Sequence, residues 1–142
     1  MATMREMVAV RRLKLGTFVV EFDSPGMGQI LKAAGCEFAI IDMEHSGFDY
    51  DGLKRMLRYY QAAGVPTIVS TAVGDYDVIA RACDMGADAI QSAKVSSAAE
   101  AREILNHMRY SPKGHCGVAL GIAHDRYRTG DTAQICGAPT VK

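Results

Sequence analysis

The sequence predicts an α/β fold, a (βα)₄ arrangement in which the strands form a parallel sheet. Short apolar, β-branched segments recur along residues 15–109, and a segment with apolar residues at helical spacing follows each of them. Glycine, proline or a capping residue marks most junctions. Each connection is long enough to contain a crossover helix, as parallel strands require.

The first predicted strand is residues 15–22, LGTFVVEF. Ser24 and Pro25 predict the start of the first helix, with proline at its first position, and Gly35 predicts its end. Residues 37–42 form the second predicted strand, since they are mostly apolar until the final aspartate.

The second helix is predicted to begin near Asp49 or Asp51 and to end at Gly64. Its apolar residues recur at helical spacing, which predicts one buried face. Residues 66–71 follow as the third predicted strand.

Asp75 is the predicted cap of the third helix, which Gly86 ends, and the fourth strand is predicted over residues 88–92. Ser97 and Glu100 have the spacing of a capping box at the start of the fourth helix. The predicted buried stripe of this helix is Ala101, Ile104, Leu105 and Met108.

We expect one domain over residues 1–142, with an N-terminal helix or arm over 1–14, four βα units over 15–109 and a long loop and tail over 110–142. Two closures of the sheet remain open, a doubly wound open sheet and a barrel. The sequence has neither G-x-G-x-x-G after its first strand nor G-x-x-x-x-G-K-S/T anywhere, which disfavours nucleotide binding of those kinds.

Sixteen basic residues balance sixteen acidic ones, which argues against nucleic acid or a membrane as a partner bound by bulk charge. Charges interrupt the short apolar stretch at the N-terminus, so we predict no secretory signal and a cytoplasmic location. The four cysteines are widely spaced without a C-x-x-C pair, and we therefore expect neither a cysteine zinc site nor a disulfide framework.

Three ionisable residues, Asp42, Glu44 and His45, follow the second apolar segment directly. In a βα architecture the carboxyl ends of the strands form the functional rim. Acids beside an imidazole at that rim can orient one another and move protons. The structural alternative is a helix-capping acid next to a surface histidine.

The other histidines have simpler interpretations. His107 lies near the end of the fourth predicted helix, where we expect a solvated side chain or a favourable helix-end charge. His115 and His124 are nine residues apart and are expected to lie on a surface loop. Arg126 and Arg128 are expected to be solvated.

Several segments resemble the HpcH/HpaI family of metal-dependent (class II) 2-oxo acid aldolases. The strand that ends in D-x-E-H and the MRYSPKG segment are together quite specific. The matching segments are Gly16-Thr17 with Ser24-Pro25, IIDMEHSGFD at 40–49, VGD at 73–75, DMGADAI at 84–90 and SSAAEAREILNHMRYSPKGHCGV at 96–118. The resemblance implies the N-terminal half of a TIM barrel.

The resemblance also implies roles for individual residues. His45 would move protons during carbon–carbon cleavage, and Asp84 would partner it, in some members across a subunit contact. Asp42 would hold metal-bound water, with Glu44 beside it. Ser70 stands in Ser70-Thr71-Ala72, where the family has an arginine at the end of strand three.

The implied reaction is reversible cleavage of a 4-hydroxy-2-oxo acid to pyruvate and an aldehyde, with a divalent metal (Mg, Mn or Co) as cofactor. The family's metal ligands come from strands five and six, so we expect no metal ligand in this chain. The implied partners are a small 2-oxo acid and either further copies of the chain or a complementing half-barrel. The alternative is a catalytically inert half-barrel, from a truncated or split gene, that acts only through association.

Overall fold

The computed structural model describes residues 3–72, 74–127 and 130–133. Its strands form one parallel sheet in the order β1-β2-β3-β4. This sequential order confirms the predicted (βα)₄ fold and half-barrel and excludes a doubly wound sheet, in which the first strand would lie inside the order. The elements are α1 (Met4–Ala9), β1 (Gly16–Val19), α2 (Met27–Ala33), β2 (Phe38–Asp42), α3 (Tyr50–Ala63), β3 (Thr67–Thr71), α4 (Tyr76–Asp84), β4 (Ala89–Ser92), α5 (Ala98–His107) and a 3-10 helix (Ala123–Asp125).

One face of the sheet is buried under helices. Val19, Ile41 and Val69 form a row across β1, β2 and β3, and all three are buried. They pack against the apolar side of α3, whose buried residues follow the helical spacing that the sequence predicted. These α3 residues are Leu53, Met56, Leu57 and Tyr60.

The opposite face, which we call the open face, is not covered by helices of the described chain. Phe18, Ile40 and Ile68 form the corresponding row on this face. Phe18 is exposed, and the two isoleucines are only half-buried. Strand side chains alternate between faces, so Asp42 and Ser70 also belong to the open face, at its carboxyl edge.

The limits predicted for the second helix of the four βα units, which is α3 in the structure, are confirmed. Asp49 is its N-cap, and its carboxylate accepts a hydrogen bond of 2.7 Å from the backbone N–H of Gly52. Gly64 ends the helix in the left-handed conformation, with φ of 73°. Only glycine adopts this conformation at little cost, which is why this glycine could be recognised as a helix end.

Two other predicted helix starts need correction. Ser24–Pro25 lie in the turn before α2, whose N-cap is Gly26 without a side-chain hydrogen bond. Ser97 does cap α5, accepting from the N–H of Glu100, but the carboxylate of Glu100 accepts from the N–H of Ser96 instead of returning to Ser97. One of the two hydrogen bonds of the predicted capping box is therefore present, and the other is made to Ser96 instead of Ser97.

The fourth predicted helix is α5 in the structure, and its apolar stripe is not buried as predicted. Ala101 and Leu105 are exposed, and Ile104 and Met108 are half-buried. The physical reason is that β4 is an edge strand of the described sheet, so α5 has no strand beyond β4 to cover. The stripe instead lines a groove of about 600 Å³ together with α1 and β4.

The predicted end of the first strand also needs correction. β1 ends at Val19 rather than at residue 22, because its pairing with β2 extends no further than Val19 and Ile41. Cys83 is fully buried, and Cys36 only half-buried.

Within the described residues, no helix has the length and apolar character needed to cross a membrane. Val73, Arg128 and Cys136 lie outside the described residues.

We expect Gly28→Ala to lower the free energy of unfolding by about 1–3 kcal/mol, a typical cost of overpacking. A Cβ at Gly28 would lie 2.9 Å from the carbonyl oxygen of Tyr59 and 3.1 Å from the Cβ of Ala63. The backbone carbonyl of Tyr59 cannot rotate away from the added methyl group as a flexible side chain could, so α2 would have to move away from α3. Urea denaturation measures the change, and Gly47→Ala, with open space around its Cβ, is the matched control that should change little.

Candidate active site

Asp42 organises the turn that follows β2. It is 1% exposed, and its two carboxylate oxygens accept from the backbone N–H groups of Glu44, at 3.1 Å, and His45, at 2.9 Å. The hydroxyl of Ser46 donates to the carbonyl oxygen of Asp42. Three sequential bonds thus fix the backbone of the D-x-E-H segment, and with it the direction in which His45 leaves the sheet.

Glu44 lies between two cationic or potentially cationic groups. Its side chain is 13% exposed, with one oxygen 3.7 Å from Nε2 of His45 and the other 3.6 Å from Nζ of Lys94. The His45 side chain is 79% exposed and is free to meet a ligand from solvent. The carboxylate lies close enough to the imidazole to help orient the ring, which is what an acid–base histidine requires.

Lys94 was missed by the sequence analysis. It follows β4 directly, at the same edge of the sheet, and its backbone is left-handed with φ of 59°. A residue other than glycine rarely adopts this conformation, and such strain is often found at functional positions. The rule that parallel strands end at one rim could have identified it, because Lys94 lies two residues beyond Ser92 at the end of β4.

Ser70 lies beside Asp42 on the open face. The two residues are partners in the β2–β3 register, and the N–H of Met43 donates to the carbonyl oxygen of Ser70 at 2.9 Å. Ser70 is buried. It offers a neutral hydroxyl and no charge. The described cation that contacts the D-x-E-H segment is Lys94, which forms an ion pair with Glu44.

Asp84 is placed at the other edge of the sheet. It ends α4, which runs back from the carboxyl end of β3 to the amino end of β4. Burial raises the pKa of Asp84, and the charge of His124, with Nδ1 at 4.0 Å, opposes that rise. Among the described residues, Asp84 is paired with His124 and His45 with Glu44, so the pairing of Asp84 with His45 stays a prediction.

His124 is not on the surface as expected, and His107 lies in the last turn of α5 as one of its two expected interpretations requires, but it is not solvated. The side chain of His124 is 4% exposed, and its Nε2 lies 2.9 Å from the hydroxyl of Tyr110. The side chain of His107 is 12% exposed and meets the ring of Tyr76 edge-on at 5.4 Å. Both are packed rather than solvated, because the segment after α5 folds back over α4 and α5.

A cavity of about 500 Å³ lies beside the rim, between the ends of β3 and β4 and the side of α5. Lys94 is the one cationic residue of its described lining. Asp75, Glu100 and Glu103 line it as well, and this excess of acids disfavours an anionic 2-oxo acid inside the cavity. The open-face edge at Asp42 and His45 is the better candidate site, because it has fewer acids beside the same lysine and an exposed imidazole.

The described residues of the rim do not by themselves form a ligand set for the divalent metal that the sequence resemblance implies. Each oxygen of Asp42 accepts a hydrogen bond from one backbone N–H group, and Glu44 faces His45 and Lys94. In the part of the chain that the structure describes, no three metal-ligating groups converge at this rim; the cluster that does converge lies on α5.

Comparison with known proteins finds aldolases that are similar in sequence to this chain. No family model matches the chain. The chain is 30% identical to the 2-dehydro-3,6-dideoxy-6-sulfogluconate aldolase of Pseudomonas putida over 81% of its own length and 45% of that protein. It is 29% identical to a hydroxypyruvate/pyruvate aldolase of Roseobacter denitrificans over 76% of its own length and 45% of that protein. The chain thus spans about half the length of the curated relatives it matches.

A solved structure shows the same fold. The crystal structure of an HpcH/HpaI aldolase from Desulfitobacterium hafniense superposes with a TM-score of 0.87 at 23% identity. The match covers 96% of this chain and 52% of the other. At this identity the likeness establishes the fold, and the four βα units correspond to half of that barrel-type structure.

Proposed function

The chain belongs to the HpcH/HpaI aldolase family, and we propose that it supplies the proton-transfer half of an active site for reversible cleavage of a 4-hydroxy-2-oxo acid. The products would be pyruvate and an aldehyde, in the cytoplasm. The observation that supports this proposal best is the D-x-E-H turn, in which buried Asp42 fixes the backbone while exposed His45 stands beside Glu44.

In the proposed reaction His45 removes the proton from the 4-hydroxyl group. The C3–C4 bond then breaks, the aldehyde leaves, and the electron pair moves through C2 to the 2-oxo oxygen as an enolate. Returning the proton to C3 completes pyruvate. Glu44 stabilises the imidazolium in between, and a positive group near the enolate lowers the barrier.

Lys94 is the described group that could partly replace the charge of the family's strand-three arginine. Its ammonium lies 3.6 Å from a carboxylate oxygen of Glu44, and its side chain is 78% exposed at the rim. Ser70, at the arginine position, would contribute a neutral hydrogen bond to the substrate oxygen. The implied divalent metal would be bound by residues outside those described here, so no step of the proposal passes through it.

The proposal requires a second set of strands, because the open face leaves Phe18, Ile40 and Ile68 accessible and exposed sheet edges favour association. We propose that a complementing half-barrel, or another copy of this chain, covers that face. Sedimentation of the chain, alone or mixed with a complementing half-barrel, should show an associated species. A well-folded monomer in both samples at all concentrations would contradict this part of the proposal.

The test is a retro-aldol assay of pyruvate release with added Mn²⁺ or Mg²⁺. The chain is assayed alone and together with a separately produced C-terminal half of a relative such as the Pseudomonas putida aldolase. Release only on mixing supports the proposed function. Physical association without release supports the second candidate, an inert half-barrel, which the serine at position 70, where the family has an arginine, favours.

We expect Lys94→Asn to lower pyruvate release by the mixture by about tenfold or more, since it removes a charge that faces the developing enolate. Asparagine tolerates the left-handed backbone at this position, so the fold should persist. Lys94→Arg keeps the charge and is the matched control, with a much smaller loss expected. Equal losses in both variants would show that the side-chain shape, and not the charge, matters.

A further inference from the structure

Three metal-ligating side chains converge on α5 and the loop after it. Oε1 of Glu103 lies 3.2 Å from Nε2 of His107 and 3.0 Å from Nε2 of His115. The candidate ligand atoms of all three residues lie within 4.8 Å of one another. None of these residues belongs to the D-x-E-H turn or to its contact with Lys94.

The two spacings that involve Glu103 are compatible with a tetrahedral metal centre, and the two imidazole nitrogens lie within 4.8 Å of each other. Zn²⁺ binds imidazole nitrogen and carboxylate oxygen at about 2.0–2.2 Å, so neighbouring ligands of a tetrahedral site lie about 3.3–3.5 Å apart. The two distances to Glu103, 3.0 and 3.2 Å, are already close to that value. Two histidines and one glutamate leave a fourth position for water, a ligand set that zinc commonly takes.

The surrounding residues hold each ligand in place. The side-chain amide of Asn106 donates to Oε2 of Glu103 at 3.1 Å, which leaves Oε1 to face both imidazoles. His107 is packed against Tyr76, and its Nδ1 is buried without a hydrogen-bond partner among the described residues, so Nε2 is the nitrogen that it presents. The contact from Asn106 orients Glu103 in the way that outer hydrogen bonds orient the ligands of metal sites.

His115 is brought to α5 by backbone contacts. Its N–H donates to the carbonyl oxygen of Asn106 at 3.0 Å, and the N–H of Cys116 donates to that of Arg109 at 2.9 Å. Gly114 makes this approach possible, because a Cβ there would lie 2.4 Å from the carbonyl oxygen of Asn106. The loop therefore has a defined position against the helix.

We propose that Glu103, His107 and His115 form a site for one Zn²⁺ ion, distinct from the candidate active site. The ion would join the loop after α5 to the helix, with water in the fourth position. The competing interpretation is a hydrogen-bonded cluster in which Glu103 accepts from two imidazoles. In that case Asn106 and His115 lower the pKa of Glu103 without any ion.

The test is titration of the purified chain with Zn²⁺ by calorimetry, and with Co²⁺ by visible absorption. We expect one ion per chain and the intense d–d bands of tetrahedral Co²⁺. Asn106→Ala should weaken binding by about 10–100-fold, the usual effect of losing an orienting contact. His115→Ala and Glu103→Gln should each weaken it further.

Two variants make the outcome decisive. His115→Cys supplies another zinc ligand, so it should retain Co²⁺ binding and add a thiolate charge-transfer band. His45→Gln removes an exposed imidazole elsewhere and should leave the affinity unchanged. The proposal is overturned if no ion binds, or if binding persists in His115→Ala and Glu103→Gln, or if it depends on His45. His115 is 57% exposed, so its replacement should leave the fold intact by circular dichroism.

Discussion

Replacing His45 with glutamine should lower pyruvate release by the complemented barrel by about 10²–10⁴-fold, the usual contribution of a positioned acid–base group. Glutamine keeps a hydrogen-bonding side chain but cannot take the hydroxyl proton. The loss should fall on kcat, with KM nearly unchanged, because the imidazole acts on the reacting proton and not on the bound carboxylate. Steady-state assays with lactate dehydrogenase as the pyruvate reporter measure both constants.

The fold of this variant should be unaffected. His45 is 79% exposed, and the turn is fixed through its backbone N–H and the carboxylate of Asp42. Thermal unfolding should therefore match that of the unmodified chain. Added imidazole should restore part of the rate, while Lys54→Gln, at an exposed position of α3, is the matched control with no expected loss. A full rate in the glutamine variant would remove His45 from the mechanism.

The parts of the fold that were predicted correctly depend on short-range pattern. The helix limits at Asp49 and Gly64 follow from local hydrogen bonding and from the left-handed conformation that glycine allows. The sequence of strands and helices follows from apolar periodicity. The burial of α5 was predicted wrongly, because a stripe of apolar residues shows which face seeks cover and not whether a neighbouring element provides it.

In the candidate site too, contacts between residues close in the sequence could be predicted, while contacts between distant segments could not. Asp42, Glu44 and His45 lie within four consecutive residues, so their proximity could be inferred from the sequence. The contact between Glu44 and Lys94 joins two strand ends far apart in the chain, and the left-handed backbone of Lys94 has no local sequence marker. The burial of His124 against Tyr110 likewise depends on how the long segment after α5 folds back.

The open face makes a second strong prediction, in which Ile40→Asp should abolish assembly with a complementing half-barrel. Ile40 lies at the centre of that face, between Phe18 of β1 and Ile68 of β3. In a closed barrel inward side chains pack in layers, so the new carboxylate would be buried without a partner. Such a charge costs about 3–5 kcal/mol, which weakens association by more than about a hundredfold.

The isolated chain should tolerate this change better than the assembly does, since Ile40 is only half-buried before assembly. Its circular dichroism should resemble that of the unmodified chain, while sedimentation shows no associated species and the mixed assay yields no pyruvate. Ile30→Asp places the same charge on an exposed isoleucine of α2 and should retain both association and activity. If the two variants associate equally well, the partner does not cover the open face, and the active site cannot be completed there.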